Sequence, residues 1–164
     1  VINTISPSMD IQIASNFERY LYYLFDEDGK KTEQLMNTFS KCGEIKIDKE
    51  NLQKVQTDFL SAKATEKETI DEIRDFYKKT GYILDPHTAV GVKVGRQLRD
   101  KEKPLICLAT AHPAKFPEPI KEAIGMPPSI PSVLKDINRK KGRFTILNAS
   151  CQQVKTFIEQ HALN

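Results

Sequence analysis

The chain has 164 residues, 39% of them hydrophobic and 29% charged, the balance of a folded globular chain and not of a disordered or collagen-like one. Its 25 basic and 22 acidic residues leave a net charge of +3, and the two signs alternate through residues 48–79, so the charge reads as solvated helix faces and not as a nucleic-acid groove. No apolar run approaches the roughly 18 residues of a membrane span, and no signal-peptide pattern is visible.

In chain order, Ser15 and Glu18 of SNFE have capping-box spacing. Phe17, Tyr20, Leu21, Leu24 and Phe25 follow at helical intervals, which predicts a first helix with these side chains buried, ending at DEDG. KTEQLMNTFSKCG predicts a second helix with Leu35, Met36 and Phe39 inward and Gly43 as its stop. EIKI reads as a short strand, DKENLQKVQTDF as a short helix after an Asp cap, and FLSAKA as an extended segment or strand. Thr65 and Glu68 form a second capping box, and Ile70, Ile73, Phe76 and Tyr77 line one face of a helix that stops at Gly81.

Asp85 and Pro86 are the N-cap and first position of the next helix, HTAVGVKVGRQLRDK. In it Gly91 and Gly95, four apart, would let another backbone approach closely. PLICLAT predicts a buried strand with Cys107 in the core. PEPIKEAIG and PSVLKDINRK read as short helices around the proline-rich MPPSIP. RFTILN reads as a strand, and ASCQQVKTFIEQHAL as a closing amphipathic helix with Val154, Phe157 and Ile158 inward. The alternation is α/β, but so small a sheet cannot cover itself. The expected partner is sequence preceding Val1, because the chain enters an organised pattern at once, as if cut from a longer protein.

Thr110 stands at the carboxyl end of the best strand, where open α/β sheets bind ligands. Its hydroxyl can donate or accept, toward a ligand or toward a neighbouring backbone group. His87 lies in the first turn of its helix, as a capping or packing residue, and His112 lies in a loop. Without a carboxylate at ligand spacing the two suggest no metal site. Cys42, Cys107 and Cys151 are far apart and form no zinc pattern, and they fit a reducing compartment. SPSMDIQIASN offers Ser6, Ser8, Asp10, Ser15 and Asn16, whose hydroxyls at a helix start could hold a phosphate or carboxylate, with Glu18 competing for that place. No GxSxG motif supports serine chemistry. RKKGR, Arg139 to Arg143, is the one basic cluster and reads as a surface loop.

Three stretches, SPSMDIQIASNFER, GYILDPHTAVGVKVG and LATAHPAKFPEPI, occur in this order with DFLSAKATEKETIDEIRDFY between the first two. Together they resemble the carboxyl-terminal half of the threonine synthases, in the branch found in enterobacteria and fungi, over nearly the whole chain. The resemblance implies an α/β fold: residues 1–164 as one unit, the carboxyl-terminal part of a fold-type-II pyridoxal-phosphate enzyme, with a short sheet flanked by many helices. It implies a cytoplasmic two-domain lyase that converts O-phospho-L-homoserine and water to L-threonine and phosphate.

The family's cofactor-bearing lysine lies in an SFKD-like motif and its phosphate loop resembles SGNFGN. This sequence contains neither, and Lys115 sits in no such motif. The chain alone is therefore expected to be inactive and to hold no catalytic residue. Thr110 carries over as the cofactor-binding residue, because the threonine of TAHPAKF faces the pyridine nitrogen in this family. A neutral hydroxyl does not force that nitrogen to be protonated, unlike the Asp partner of other pyridoxal enzymes. Ser8, Asp10, Asn16, Arg19, His87, Thr88, His112 and Lys115 are expected along the substrate cleft, without individual roles. The alternative is a non-catalytic threonine-synthase-like regulatory or interaction protein. Neither a nucleic acid nor a membrane is expected as a partner.

Overall fold

In a computed structural model of the chain, residues 2–11 and 13–162 are described. Gln12 of the first motif and Leu163 of the expected closing helix lie outside them. The backbone forms two compact units, Val1–Ser129 and Ile130–Asn164, where the sequence reading treats 1–164 as one.

The first unit opens with three helices, α1 (Ser15–Leu24), α2 (Gly29–Cys42) and α3 (Lys49–Asp58). Ala14, not Ser15, is the N-cap of α1, and no side chain caps it. Ser15 thus falls one residue inside the helix, which corrects the expected capping box. The chain leaves α1 through Asp26 and Glu27, both at positive φ (55° and 64°), and this left-handed turn lets Asp28 cap α2 by accepting from Lys31 N–H at 3.0 Å. DEDG therefore starts the second helix as well as ending the first. Gly43 stops α2 in the left-handed conformation, as expected of a glycine C-cap. Leu21, Leu24 and Phe25 form the core here, with Tyr20, Leu35, Met36 and Val55 packed against them. Phe17 is a correction: it is 45% exposed.

A second core follows, built by α4 (Glu66–Thr80), α5 (Pro86–Leu98) and α6 (Pro117–Ile124). Ile70 and Ile73 of α4, Leu84, Ala89 and Val92 around α5, and Ile120 and Ala123 of α6 form one buried cluster. Arg74 Nε–H donates to the Ala123 carbonyl at 3.0 Å, tying α4 to the last turn of α6. Gly81 and Gly125 stop α4 and α6 at φ of 73° and 80°.

Thr65 and Glu68 form the capping box that the sequence predicts. The Glu68 carboxylate accepts from Thr65 N–H at 2.9 Å and from the Thr65 hydroxyl at 2.8 Å. These bonds, first the backbone one, hold its pKa below the ordinary value, with Lys93 adding to the effect. A carboxylate lowered on folding stabilises the fold above its unfolded pKa, about 4.3, and that stability is lost as pH falls through the lower folded value. Glu68→Ala is accordingly expected to lower the thermal midpoint at neutral pH. Circular dichroism melts should show the gap from wild type narrowing in strong acid.

Among the described residues no segment forms a strand. The four expected strands, at 44–47, 59–64, 104–110 and 143–148, are neither helical nor paired. A strand's N–H and C=O groups need a ladder partner, and none of the four finds one. The expectation of a buried 104–110 is corrected too: Ile106 is 83% and Leu108 77% exposed, and Cys107 is exposed. The segment still alternates. Leu105 and Cys107 turn toward Gly95 of α5, where a built Cβ would meet Leu105 Cδ2 at 3.0 Å and Cys107 Sγ at 3.6 Å. The close neighbours at Gly95 are thus side chains and not the backbone that was expected, and a Cβ at Gly91 would meet nothing within 4 Å.

The second unit holds α7 (Cys151–His161), capped by Ser150, which accepts from Gln153 N–H at 3.4 Å. The helix expected over PSVLKDINRK is replaced by two single 3-10 turns, Ser132–Leu134 and Ile137–Arg139. Val133 and Ile137 are both exposed, and so short a helix needs a packed apolar face to persist. Val154 and Ile158, expected inward on α7, are exposed as well. No helix among the described residues is long and apolar enough to cross a membrane.

Candidate functional site

The start of α5 gathers the three stretches that stand out in the sequence. Asp85 caps the helix with Pro86 behind it, and the side chain is 2% exposed. Its carboxylate accepts from His87 N–H at 2.9 Å, from Thr88 N–H at 3.3 Å, and from the Thr88 hydroxyl. The positive end of the helix dipole favours a carboxylate at this position.

Thr88 and His87 then reach out to different segments. Thr110 N–H donates to Thr88 Oγ1 at 3.1 Å, and the two threonine hydroxyl oxygens lie 3.3 Å apart. This side chain thus fixes LATAHPAKF although no strand ladder does. Ser6 Oγ lies 2.5 Å from His87 Nδ1, and both residues are buried. The His87 ring meets the Phe116 ring edge-on, with centroids 4.8 Å apart and planes at 77°. Beyond Thr110, His112 caps the 3-10 turn Pro113–Lys115 by accepting at Nδ1 from Ala114 N–H, 3.1 Å away. Thr110 and His112 line an open hollow of about 540 Å³ with Gly81, Tyr82 and Pro128.

Of the residues singled out in the sequence, His87, Thr88, Thr110 and His112 come together here. Lys115 follows His112 and is exposed. In the first segment Asp10 accepts from Thr4 N–H at 2.7 Å and from the Thr4 hydroxyl at 2.9 Å, and Ser8 is exposed. Asn16 and Arg19 lie on α1, both exposed. Asn16 lines a different hollow, of about 630 Å³, with Phe17, Tyr20, Leu52 and Phe59. No residue of the α5 cluster lines that hollow. One member of the cluster was not legible as a site residue, and another was offered by the sequence without being separable from its neighbour. Asp85 has only the signature of a helix cap, and nothing in the spacing of SPS separates buried Ser6 from exposed Ser8. Among the described residues no three His, Cys, Asp or Glu side chains gather as metal ligands.

The family model "Threonine synthase, C-terminal" matches residues 88–158. Threonine synthase of Pseudomonas aeruginosa is 36% identical over 160 residues, 96% of this chain and 34% of that protein. Human threonine synthase-like 1 is 39% identical over 121 residues, 74% of this chain and 16% of that protein. The crystal structure of pyridoxal-phosphate-bound threonine synthase from Brucella melitensis superposes with a TM-score of 0.80 at 39% identity, covering 100% of this chain and 35% of that one. The chain thus spans about a third of the length of the bacterial threonine synthases it matches.

Proposed function

The chain belongs to the threonine synthase family, matching its carboxyl-terminal part, and we propose that it supplies that part of a complete pyridoxal-phosphate lyase. The complete enzyme would convert O-phospho-L-homoserine and water to L-threonine and phosphate, in the cytoplasm. The observation that carries this reading is the meeting of three family-like stretches at the start of α5, with the Thr110 hydroxyl open to a hollow.

Bound pyridoxal phosphate would supply the electron sink that stabilises negative charge on carbons of the substrate. The residues here fit its ring edge and not its phosphate or its lysine. Thr110 offers one hydroxyl at a fixed place, held through its own N–H by Thr88. Ser6, His87 and Phe116 lock the surrounding segments to one helix end. The Schiff-base lysine and the phosphate loop would come from the rest of the enzyme, so the chain alone is inactive in this reading.

His112 lines the same hollow, and His87, Thr88 and Lys115 would stand beside it, with Ser8 and Asp10 on the segment that Ser6 anchors. Asn16 and Arg19 would face the cleft only from a surface that the other domain completes. The same completion accounts for the missing sheet. In 104–110 one set of alternating side chains packs on α5 and the other, Ile106 and Leu108, is bare, as in a strand awaiting a neighbour.

The second reading is a non-catalytic threonine-synthase-like regulatory or interaction protein, and the chain is about as similar to threonine synthase-like 1 as to threonine synthase itself. Equilibrium dialysis against pyridoxal phosphate, with turnover measured alongside, tests both. The complete enzyme should bind saturably and turn over, and the isolated chain should do neither. Thr110→Val leaves a buried ring nitrogen without its partner, at about 1–3 kcal/mol, so affinity should fall by roughly one to two orders of magnitude. Thr110→Ser keeps the hydroxyl and should stay near wild type. Saturable binding without turnover would favour the second reading, and equal affinities for the Val and Ser variants would remove Thr110 from the site.

A further inference from the structure

The hydroxyls beside α5 have a direction. Thr88 has a single hydroxyl proton, and it goes to Asp85. That bond is assisted by the carboxylate's charge, the stronger kind of hydrogen bond, and Asp85 is an acceptor for three donors at once. The Thr88 oxygen therefore presents only lone pairs to Thr110. One of them takes Thr110 N–H at 3.1 Å. The two hydroxyl oxygens, 3.3 Å apart, bond only if a proton lies between them, and Thr110 alone can supply it. With that proton turned inward, the Thr110 oxygen offers lone pairs to the hollow it lines.

We propose that Asp85, acting through Thr88, sets the Thr110 hydroxyl as a hydrogen-bond acceptor toward the hollow, so that Thr110 takes up a protonated heterocyclic nitrogen. Resting on the reading above, the nitrogen is that of the pyridoxal-phosphate ring. Asp85 is then a positioning residue: it never reaches the ring, but its buried negative charge favours the ring's protonated form through two hydroxyls. This departs from the expectation that a neutral hydroxyl leaves the nitrogen's proton unspecified. The protein has a carboxylate partner after all, placed at the far end of a relay in which each oxygen passes on one hydrogen bond.

The test uses the complete enzyme loaded with pyridoxal phosphate labelled with nitrogen-15 in the ring, read by its chemical shift at one neutral pH. Wild type should show the shift of a protonated ring nitrogen. Thr88→Val breaks the relay and should move the shift toward the unprotonated position. Asp85→Asn keeps a helix cap, removes the charge, and should move the shift in the same direction, so the test stands even where the valine variant fails to fold. A second measurement compares affinity for pyridoxal phosphate with that for its 1-deaza analogue, whose carbon cannot replace the N–H donor. The preference should be roughly tenfold or more in wild type, the size of one well-made hydrogen bond, and should fall toward one in both variants. An unprotonated nitrogen in wild type, or a shift and preference unmoved by both variants, overturns the relay while leaving Thr110 as the ring's neighbour. Loss of saturable binding in wild type, or no effect of Thr110→Val, instead overturns the cofactor reading on which the relay rests.

Discussion

Asp85→Ala is expected to destabilise the first unit by about 2–4 kcal/mol, the sum of a lost helix cap and a lost charge-assisted hydrogen bond. The side chain is buried and serves three donors. Alanine would leave His87 N–H and Thr88 N–H unsatisfied at the first turn of α5 and strand the Thr88 hydroxyl. Because Thr110 N–H donates to that same hydroxyl, the damage should reach the segment at 108–112. Urea unfolding followed by circular dichroism gives the stability change. Hydrogen exchange at the Thr110 amide gives the local one, and it should quicken by more than global destabilisation accounts for. Asp85→Asn should recover most of the stability, since asparagine caps helices about as well as aspartate. A cost below about 0.5 kcal/mol for the alanine variant would mean that Asp85 caps nothing that matters.

Ile120→Ala should cost about 2–5 kcal/mol, the range for an isoleucine truncated in a packed core. Ile120 is 0% exposed and sits in the cluster formed with Ile70, Ile73, Leu84, Ala89 and Val92. It is the main anchor of α6, a helix of only eight residues, and so short a helix holds its shape through packing more than through its own hydrogen bonds. Phe116, the residue before α6, rests on His87, so loosening the helix should also disturb the start of α5. Ile120→Val should cost only about 0.5–1.5 kcal/mol. The same urea experiment reads both variants, and an alanine variant as stable as the valine one would show that the site collapses around the missing atoms.

The helices were legible where the signal is local. The Thr65–Glu68 box, the Asp48 and Asp85 caps and the Gly43 and Gly81 stops depend on residues within four positions of each other. Ser15 was misread because a capping-box spacing also fits a helix that starts one residue earlier, and only the backbone torsion of Ala14 tells the two apart. The strands were legible as apolar runs but not as strands, since a ladder is a relation between segments and none of these four has its partner among the described residues. Burial on α7 was misjudged for the same reason: an amphipathic pattern says which face of a helix is apolar, not whether anything covers it.

What the sequence by itself determined was the seven helices α1 to α7, though not the absence of one over PSVLKDINRK, most of their caps and stops, and the likeness of three long motifs to one family, because each is written in neighbouring residues. It also singled out Thr110 as the end of an apolar run. Only the tertiary structure decided that Ser6 rather than Ser8 is buried against His87, that Asp85 is more than a cap, and that Thr88 joins it to Thr110. The Ser6–His87 and Thr88–Thr110 bonds connect residues 81 and 22 positions apart, and a hydrogen bond acts over about 3 Å of space, a distance that the order of residues along the chain does not contain.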